Sequence, residues 1–246
     1  MISKDIVKVK LLEIWISVAF IIIFISLISC AGKQQTNVMV PTDSSITTSG
    51  NITLGVMNFD NNSLGMEHDS LDRLKTGIPH ALMTELSKVE KLTVVDRTKP
   101  GELLSGKPLA AQLLCFGIFM DKPGETDEII IHASISMVET GKGVKIKEVT
   151  GSKQNLSKLI KLLALRIANQ LKTSFGVTVN KIDRKKIKTN DTSFSATSMV
   201  IFEEAREFES QRMFEQAELK YEETLKISSK YFEAKQALER LKLIRK

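Results

Sequence analysis

Apolar and polar positions change rhythm several times along the chain. Behind Lys4, Lys8 and Lys10 comes an unbroken apolar run from Ile14 to Ile28, ended by Ser29 and Cys30. A basic start followed by an apolar core is the grammar of an export signal. The run is shorter than the about 20 residues that a membrane-spanning helix needs. Residues 31–50 then show no periodicity; they are rich in Ser, Thr, Gln and Asn, with Pro41 and Gly50 among them. Such a segment reads as a flexible tether able to reach about 50–60 Å when stretched.

Alternation starts at Ile52. Ile52, Leu54, Val56 and Asn58 fall on one side of a strand predicted over 51–59. Asp60-Asn61-Asn62-Ser63 is a turn cluster. Asp69 or Ser70 can cap a helix whose inner face is Leu71, Leu74, Ile78, Leu82, Leu86 and Val89. Gly77 and Pro79 predict a kink in its middle. Leu92 to Arg97 is a second strand, so strand, helix and strand form a βαβ unit with parallel strands. Pro100 to Ala111 is a connection with one short helix at most. Three strands follow, over about 112–120, 128–138 and 144–150. The turns at Pro123-Gly124 and Gly141-Lys142-Gly143 are short, which makes the three an antiparallel meander. Ile129, Ile131, Ala133, Ile135 and Met137 share one face of the middle strand. A helix over 153–173, with Leu156, Leu159, Leu163, Ile167 and Leu171 inward, closes a domain at 51–175. The predicted fold class is α+β: a mixed sheet of about five strands with helices packed on it, followed by a small all-α unit.

Between the two lies 176–197, made basic by Lys181, Arg184, Lys185, Lys186 and Lys188. It reads as a solvated linker; the sharper alternative is contact with anionic lipid headgroups. From 198 to 245 the period is helical. Ile201, Ala205, Phe208, Phe214, Ala217, Tyr221, Leu225 and Ile227 fit two antiparallel helices joined near Gln211-Arg212. A last helix starts near Tyr231 and carries Phe232, Ala237, Leu238 and Leu241.

Composition narrows the classes of function. A chain of 246 residues with 26% charged and 42% hydrophobic residues is an ordinary globular protein. A net charge of +6 is too mild for a nucleic-acid footprint. Of the two cysteines, Cys115 sits in the apolar run Leu113 to Phe119 and reads as a buried thiol. Gly101 to Lys107 fits GxxxxGK, but a phosphate loop needs Ser or Thr next to hold Mg²⁺, and Pro108 stands there. Pro108 as the first residue of a short helix explains the same letters. His68, His80 and His132 are far apart, and none sits in a metal-binding spacing. No G-x-S-x-G is present. No residue nominates itself for catalysis, for a metal or for a cofactor.

Leu27-Ile28-Ser29-Cys30 resembles the lipobox of bacterial lipoproteins. The resemblance implies cleavage between Ser29 and Cys30, a signal peptide at 1–29, and lipidation of Cys30 by a diacylglycerol and an acyl chain such as palmitate. Ala31 after the cysteine resembles an outer-membrane address. Three acyl chains on one residue make a lasting anchor, since each buried methylene contributes about 0.8 kcal/mol. Residues 198–231 resemble one tetratricopeptide repeat. Phe208 takes its large aromatic position, Phe214 and Ala217 match the start of its second helix, and Tyr221 follows. Residues 51–175 resemble the domain shared by CsgG-type curli-secretion lipoproteins and the TolB N-terminal domain. The cues are Ile52 to Asp60, Thr93-Val94-Val95-Asp96-Arg97, Leu114-Cys115-Phe116-Gly117-Ile118 and Glu139-Thr140-Gly141, in that order. The long membrane hairpins of a curli-type pore are missing from this pattern.

These resemblances imply a non-catalytic, lipid-anchored protein on the periplasmic face of the outer membrane. Its expected partners are the membrane, through the N-terminal lipid, and envelope proteins it helps to assemble or secrete. Homo-oligomers are possible and nucleic acid is not expected. The alternative is a periplasmic enzyme or small-ligand-binding protein with a pocket on the α/β domain.

Overall fold

In the computed structural model the described residues are 51–64, 67–98, 111–189 and 191–244. Residues 1–50, read above as export signal, Cys30 and tether, and the connection from 99 to 110 with its GxxxxGK-like letters lie outside them.

The strands are β1 (Ile52–Asn61), β2 (Leu92–Asp96), β3 (Leu113–Lys122), β4 (Glu125–Met137) and β5 (Gly143–Ser152). They form one sheet in the order β2-β1-β3-β4-β5. β1 runs parallel to β2 and to β3, and β3, β4 and β5 are antiparallel. The fold is therefore α+β with a mixed five-stranded sheet. The hairpin turn at Pro123-Gly124 contains a glycine at φ 82, and Gly141 turns the next hairpin at φ 67; both angles favour a residue without a Cβ.

β1 departs from simple alternation. Its register against β3 shifts between Val56 and Phe59. Leu54, Val56 and Phe59 are fully buried, whereas Asn58 is exposed. Asn58 therefore does not share the inner face as its spacing suggested. The irregularity turns the larger apolar side chain inward and leaves the amide at the surface, where its Nδ2 donates to the Thr98 carbonyl at 3.1 Å.

The helices are α1 (Glu67–Leu71), α2 (Leu74–Leu86), α3 (Leu156–Phe175), α4 (Lys181–Lys188), α5 (Ala196–Ser210), α6 (Phe214–Ile227) and α7 (Phe232–Ile244). Asp69 and Ser70 lie inside α1 rather than capping it. The interruption expected at Gly77 and Pro79 falls earlier, at Asp72 and Arg73, and α2 continues through Pro79. Gly77 has a different purpose. A Cβ there would meet Met199 Cγ at 2.7 Å, so its absence lets α5 approach α2 closely. The inner face read from spacing (Leu74, Ile78, Leu82, Leu86) is fully buried. α2 and α3 lie over the buried side of the sheet, against Leu54, Cys115, Ile129, Ile131 and Ile135. α3 starts after a 3₁₀ turn at Lys153–Asn155 and stops at Gly176, whose left-handed φ of 69 caps it.

Residues 176–197 are not a solvated connector. Val177, Val179, Ile187 and Phe194 are buried, and α4 is held by a capping box between Asn180 and Asp183. Its few apolar residues are spaced too widely to show a period, which is why the basic letters dominated the reading. Beyond it, α5 packs on α6 and α6 on α7. Ala205, Ala217 and Tyr221 point inward as expected, while Ile227 is 48% exposed. The turn between α5 and α6 uses Arg212 at φ 61, unusual for a residue with a Cβ.

Candidate functional site

A cavity of about 360 Å³ opens where α2 faces α5, α6 and α7. Helix α2 contributes His80, Ala81 and Thr84 beside Gly77. Helix α5 contributes Phe202, Glu203 and Arg206, and α7 contributes Gln236, Ala237 and Arg240. Gly77 lets α5 pack closely on α2, and Phe202, Tyr221 and Tyr231 supply aromatic walls of the cavity.

Its charged groups are partnered with one another. The Glu203 carboxylate is buried; Oε1 lies 3.3 Å from His80 Nδ1 and accepts from Arg206 Nη1 at 3.2 Å. Glu203 Oε2 accepts from Thr76 Oγ1 at 3.4 Å. Arg206 also touches His80 Nδ1. On the far side of the ring, Nε2 lies 3.6 Å from Asp96 Oδ2 at the end of β2. His80 thus stands between a carboxylate of the sheet and one of the helical unit. A second cluster flanks it. Tyr221 Oη donates to Glu209 Oε2 at 2.6 Å, and Arg240 Nη2 donates to both oxygens of Glu209 at 2.8 and 2.9 Å. Burial, with the Glu209 hydrogen bond second, raises the Tyr221 hydroxyl above its usual range. Tyr231 is raised by burial; it stacks on Phe194 at 4.5 Å and tilts against Phe202 at 4.8 Å.

The polar groups that line the cavity are His80, Thr84, Glu203, Arg206, Tyr221, Tyr231, Glu233, Gln236 and Arg240. No serine, cysteine or lysine lines the cavity, and the Thr84 hydroxyl donates to the His80 carbonyl of its own helix. Arg206 and Arg240 are partly exposed, at 37% and 58%, so they can meet a polar or acidic group from outside. Among the described residues no group of His, Cys, Asp and Glu could hold a metal ion.

Ser29, Cys30, Gly101 to Lys107 and Pro108 lie outside the described residues. His68 belongs to α1, its side chain outside the described set. His132 lies on β4 and pairs with Glu148 at 3.3 Å, on a different element from His80. The cavity lies at the seam where α2 of the α/β domain meets the last three helices. Sequence reasoning passed over Glu203, Arg206 and Arg240. The signal was there for the first two: they occupy stripe positions in the series Met199, Phe202, Glu203, Arg206, where apolar residues belong.

Cys115 is fully buried on β3, and desolvation pushes its thiol from 9.0 up to about 12. The neutral thiol is the favoured form in the folded chain. Its contribution to stability is therefore whole below pH 9.0 and is lost as the pH rises toward about 12. A thiol reagent at pH 8 should leave Cys115 unmodified until denaturant is added. Rapid labelling of the native chain would show that the β3 region opens.

No family model matches this chain, and no curated protein does. Among solved structures, one similar chain is the hypothetical protein CT253 from Chlamydia trachomatis, at 9% identity and TM-score 0.33, covering 48% of this chain and 96% of that one. Another is a PelC dodecamer from Paraburkholderia phytofirmans, at 14% identity and TM-score 0.30, covering 50% and 92%. Likeness at this level carries no conclusion about function. No described helix is long and apolar enough to cross a membrane.

Proposed function

We propose that this chain is a non-catalytic lipoprotein, anchored through Cys30 to the outer membrane and facing the periplasm, that binds other envelope proteins through its C-terminal helices. The observation that carries the reading is where its exposed apolar residues fall. Among the described residues six of the eleven exposed large apolar side chains, Met213, Leu219, Ile227, Phe232, Leu243 and Ile244, lie on or beside α6 and α7, whereas Leu64, Phe116, Val138, Leu162 and Ile182 are scattered over the rest. On α7, Phe232 and Leu243 share the side opposite the buried Ala234, Ala237 and Leu241. The outward side of α7 carries apolar residues, which suit the docking of another protein. The tetratricopeptide resemblance supports the same use.

Affinity capture from envelope membranes tests it. The wild-type chain should retain one stoichiometric partner, and Phe232→Glu with Leu243→Glu should reduce that yield by at least about tenfold. Equal capture by the variant would sink the reading. Mass spectrometry of the mature chain should find an acylated Cys30 at its N-terminus; a bare sulfur or a retained Met1 would remove the anchor.

The second reading is a periplasmic enzyme or small-ligand-binding protein. The cavity around His80, Glu203 and Arg206 favours it, with a volume at the lower end of small-molecule sites. Purification with a stoichiometric small molecule, lost in Arg206→Ala with Arg240→Ala, would select it.

A further inference from the structure

Helix α4 presents a face that its own fold does not explain. Asp183 and Ile187 point inward, at 1% and 0% exposure. The outward arc holds Lys181, Lys185, Lys186 and Lys188, with Ile182 at 64% exposure among them. A solvated helix normally sets acids three or four residues from its lysines. Here Lys181 with Lys185, and Arg184 with Lys188, are like-charged pairs at that spacing, which costs stability. None of the four outward lysines makes an ion pair among the described residues. The helix stands because Asn180 and Asp183 cap its start and its last-turn lysines suit the dipole.

Its position is equally particular. Asp183 Oδ1 accepts from Glu90 N at 3.5 Å, which fixes α4 beside the turn that leads into β2. The next residue in that turn, Lys91, is exposed, and its carbonyl accepts from Ile52 N at 3.2 Å. Ile52 opens the sheet, and residues 1–50 join it there. The basic face therefore lies at the end of the domain where the lipid-bearing segment attaches. Glu90 and, past the end of α4, Asp191 are exposed acids near it, and five lysines outweigh them.

We propose that the outward face of α4, with Lys91, docks on an anionic phospholipid bilayer. The lysines meet the phosphates and Ile182 reaches the headgroup boundary. The proposal uses the lipid anchor as the device that keeps this face near the membrane, and to that extent rests on it. A tether of some 20 residues would hold the domain at high local concentration over the surface without orienting it. The lysine face would supply the orientation, turning α4 toward the lipid.

Lysine acetylation footprinting of the full chain tests this, on neutral phosphatidylcholine vesicles and on vesicles with about 30% phosphatidylglycerol. On anionic vesicles Lys181, Lys185, Lys186 and Lys188 should lose reactivity about fivefold or more, and regain it in about 0.5 M salt. Lys145 and Lys147 on β5, at the far edge of the sheet, should be unchanged. Replacing Lys181→Glu and Lys185→Glu should abolish the protection of Lys186 and Lys188. Equal reactivity on both kinds of vesicle, in protein that floats with both, overturns the docking face and leaves the anchor standing. Flotation only with anionic vesicles, with the lysines protected, supports the face and refutes the anchor. Flotation with neither refutes both.

Discussion

Gly117→Ala should destabilise the chain by about 3 kcal/mol, read as a fall in the denaturant midpoint of the purified protein. The reason lies in what surrounds one hydrogen atom. Gly117 pairs with Phe59 on β1 and with Ala133 on β4. A Cβ at Gly117 would sit 2.2 Å from the His132 carbonyl oxygen and 2.5 Å from Phe59 Cε2. The first neighbour is backbone and cannot rotate away. The second is a fully buried ring, held there by the register shift in β1. Relief would need the central strands to move apart, and a close-packed interior resists that. Gly143→Ala is the control: its nearest neighbour would be the Ile135 carbonyl at 3.7 Å, an ordinary contact, and stability should stay within about 0.5 kcal/mol. A Gly117→Ala protein as stable as its parent would show that the sheet is looser than described.

Glu203→Ala should cost about 2–3 kcal/mol, and the loss should be local. Truncation removes the acceptor shared by Arg206 and Thr76 and leaves His80 and Arg206 facing each other without the intervening carboxylate. It also cuts polar contact between α2 and α5, where the Gly77–Met199 approach, the Arg206–His80 contact and Arg73 with the exposed Glu207 at 3.2 Å remain. Hydrogen exchange should therefore quicken in α5, α6 and α7 more than in β4. Glu203→Gln should recover part of the loss, since the amide oxygen can still accept from Arg206. Uniform acceleration across the sheet and the helices would argue against a seam at this carboxylate.

The outline of the fold was legible because burial imposes a period. β4 alternates without error from Ile129 to Ile135, and α3 buries every residue its spacing put inward. The parallel β1–β2 pair followed from a strand, a helix and a strand in short order. The errors came where one residue answers to two neighbours. Asn58 broke the alternation because a register shift depends on the partner strand. Gly77 looked like a weak point because nothing nearby in the chain announces Met199. Residues 176–197 looked like solvent-facing linker because Val177, Val179, Ile187 and Phe194 are buried by α3 and its surroundings, not by a face of their own.

The candidate site was less legible, for the same reason in a stronger form. His80, Asp96, Glu203 and Arg240 come from α2, β2, α5 and α7, and each alone is an ordinary polar residue. By itself the sequence determined the class of fold, most strand and helix faces, and the chemistry carried by letters in a row, such as the lysines of α4. Those properties are local, set by periods of two and 3.6 residues. Only the tertiary structure decided that α5 seats on α2 through a missing Cβ, that a cavity opens at that seam, and which end of the domain the lysines share. These depend on distances between segments far apart in the chain, and no short-range pattern encodes them.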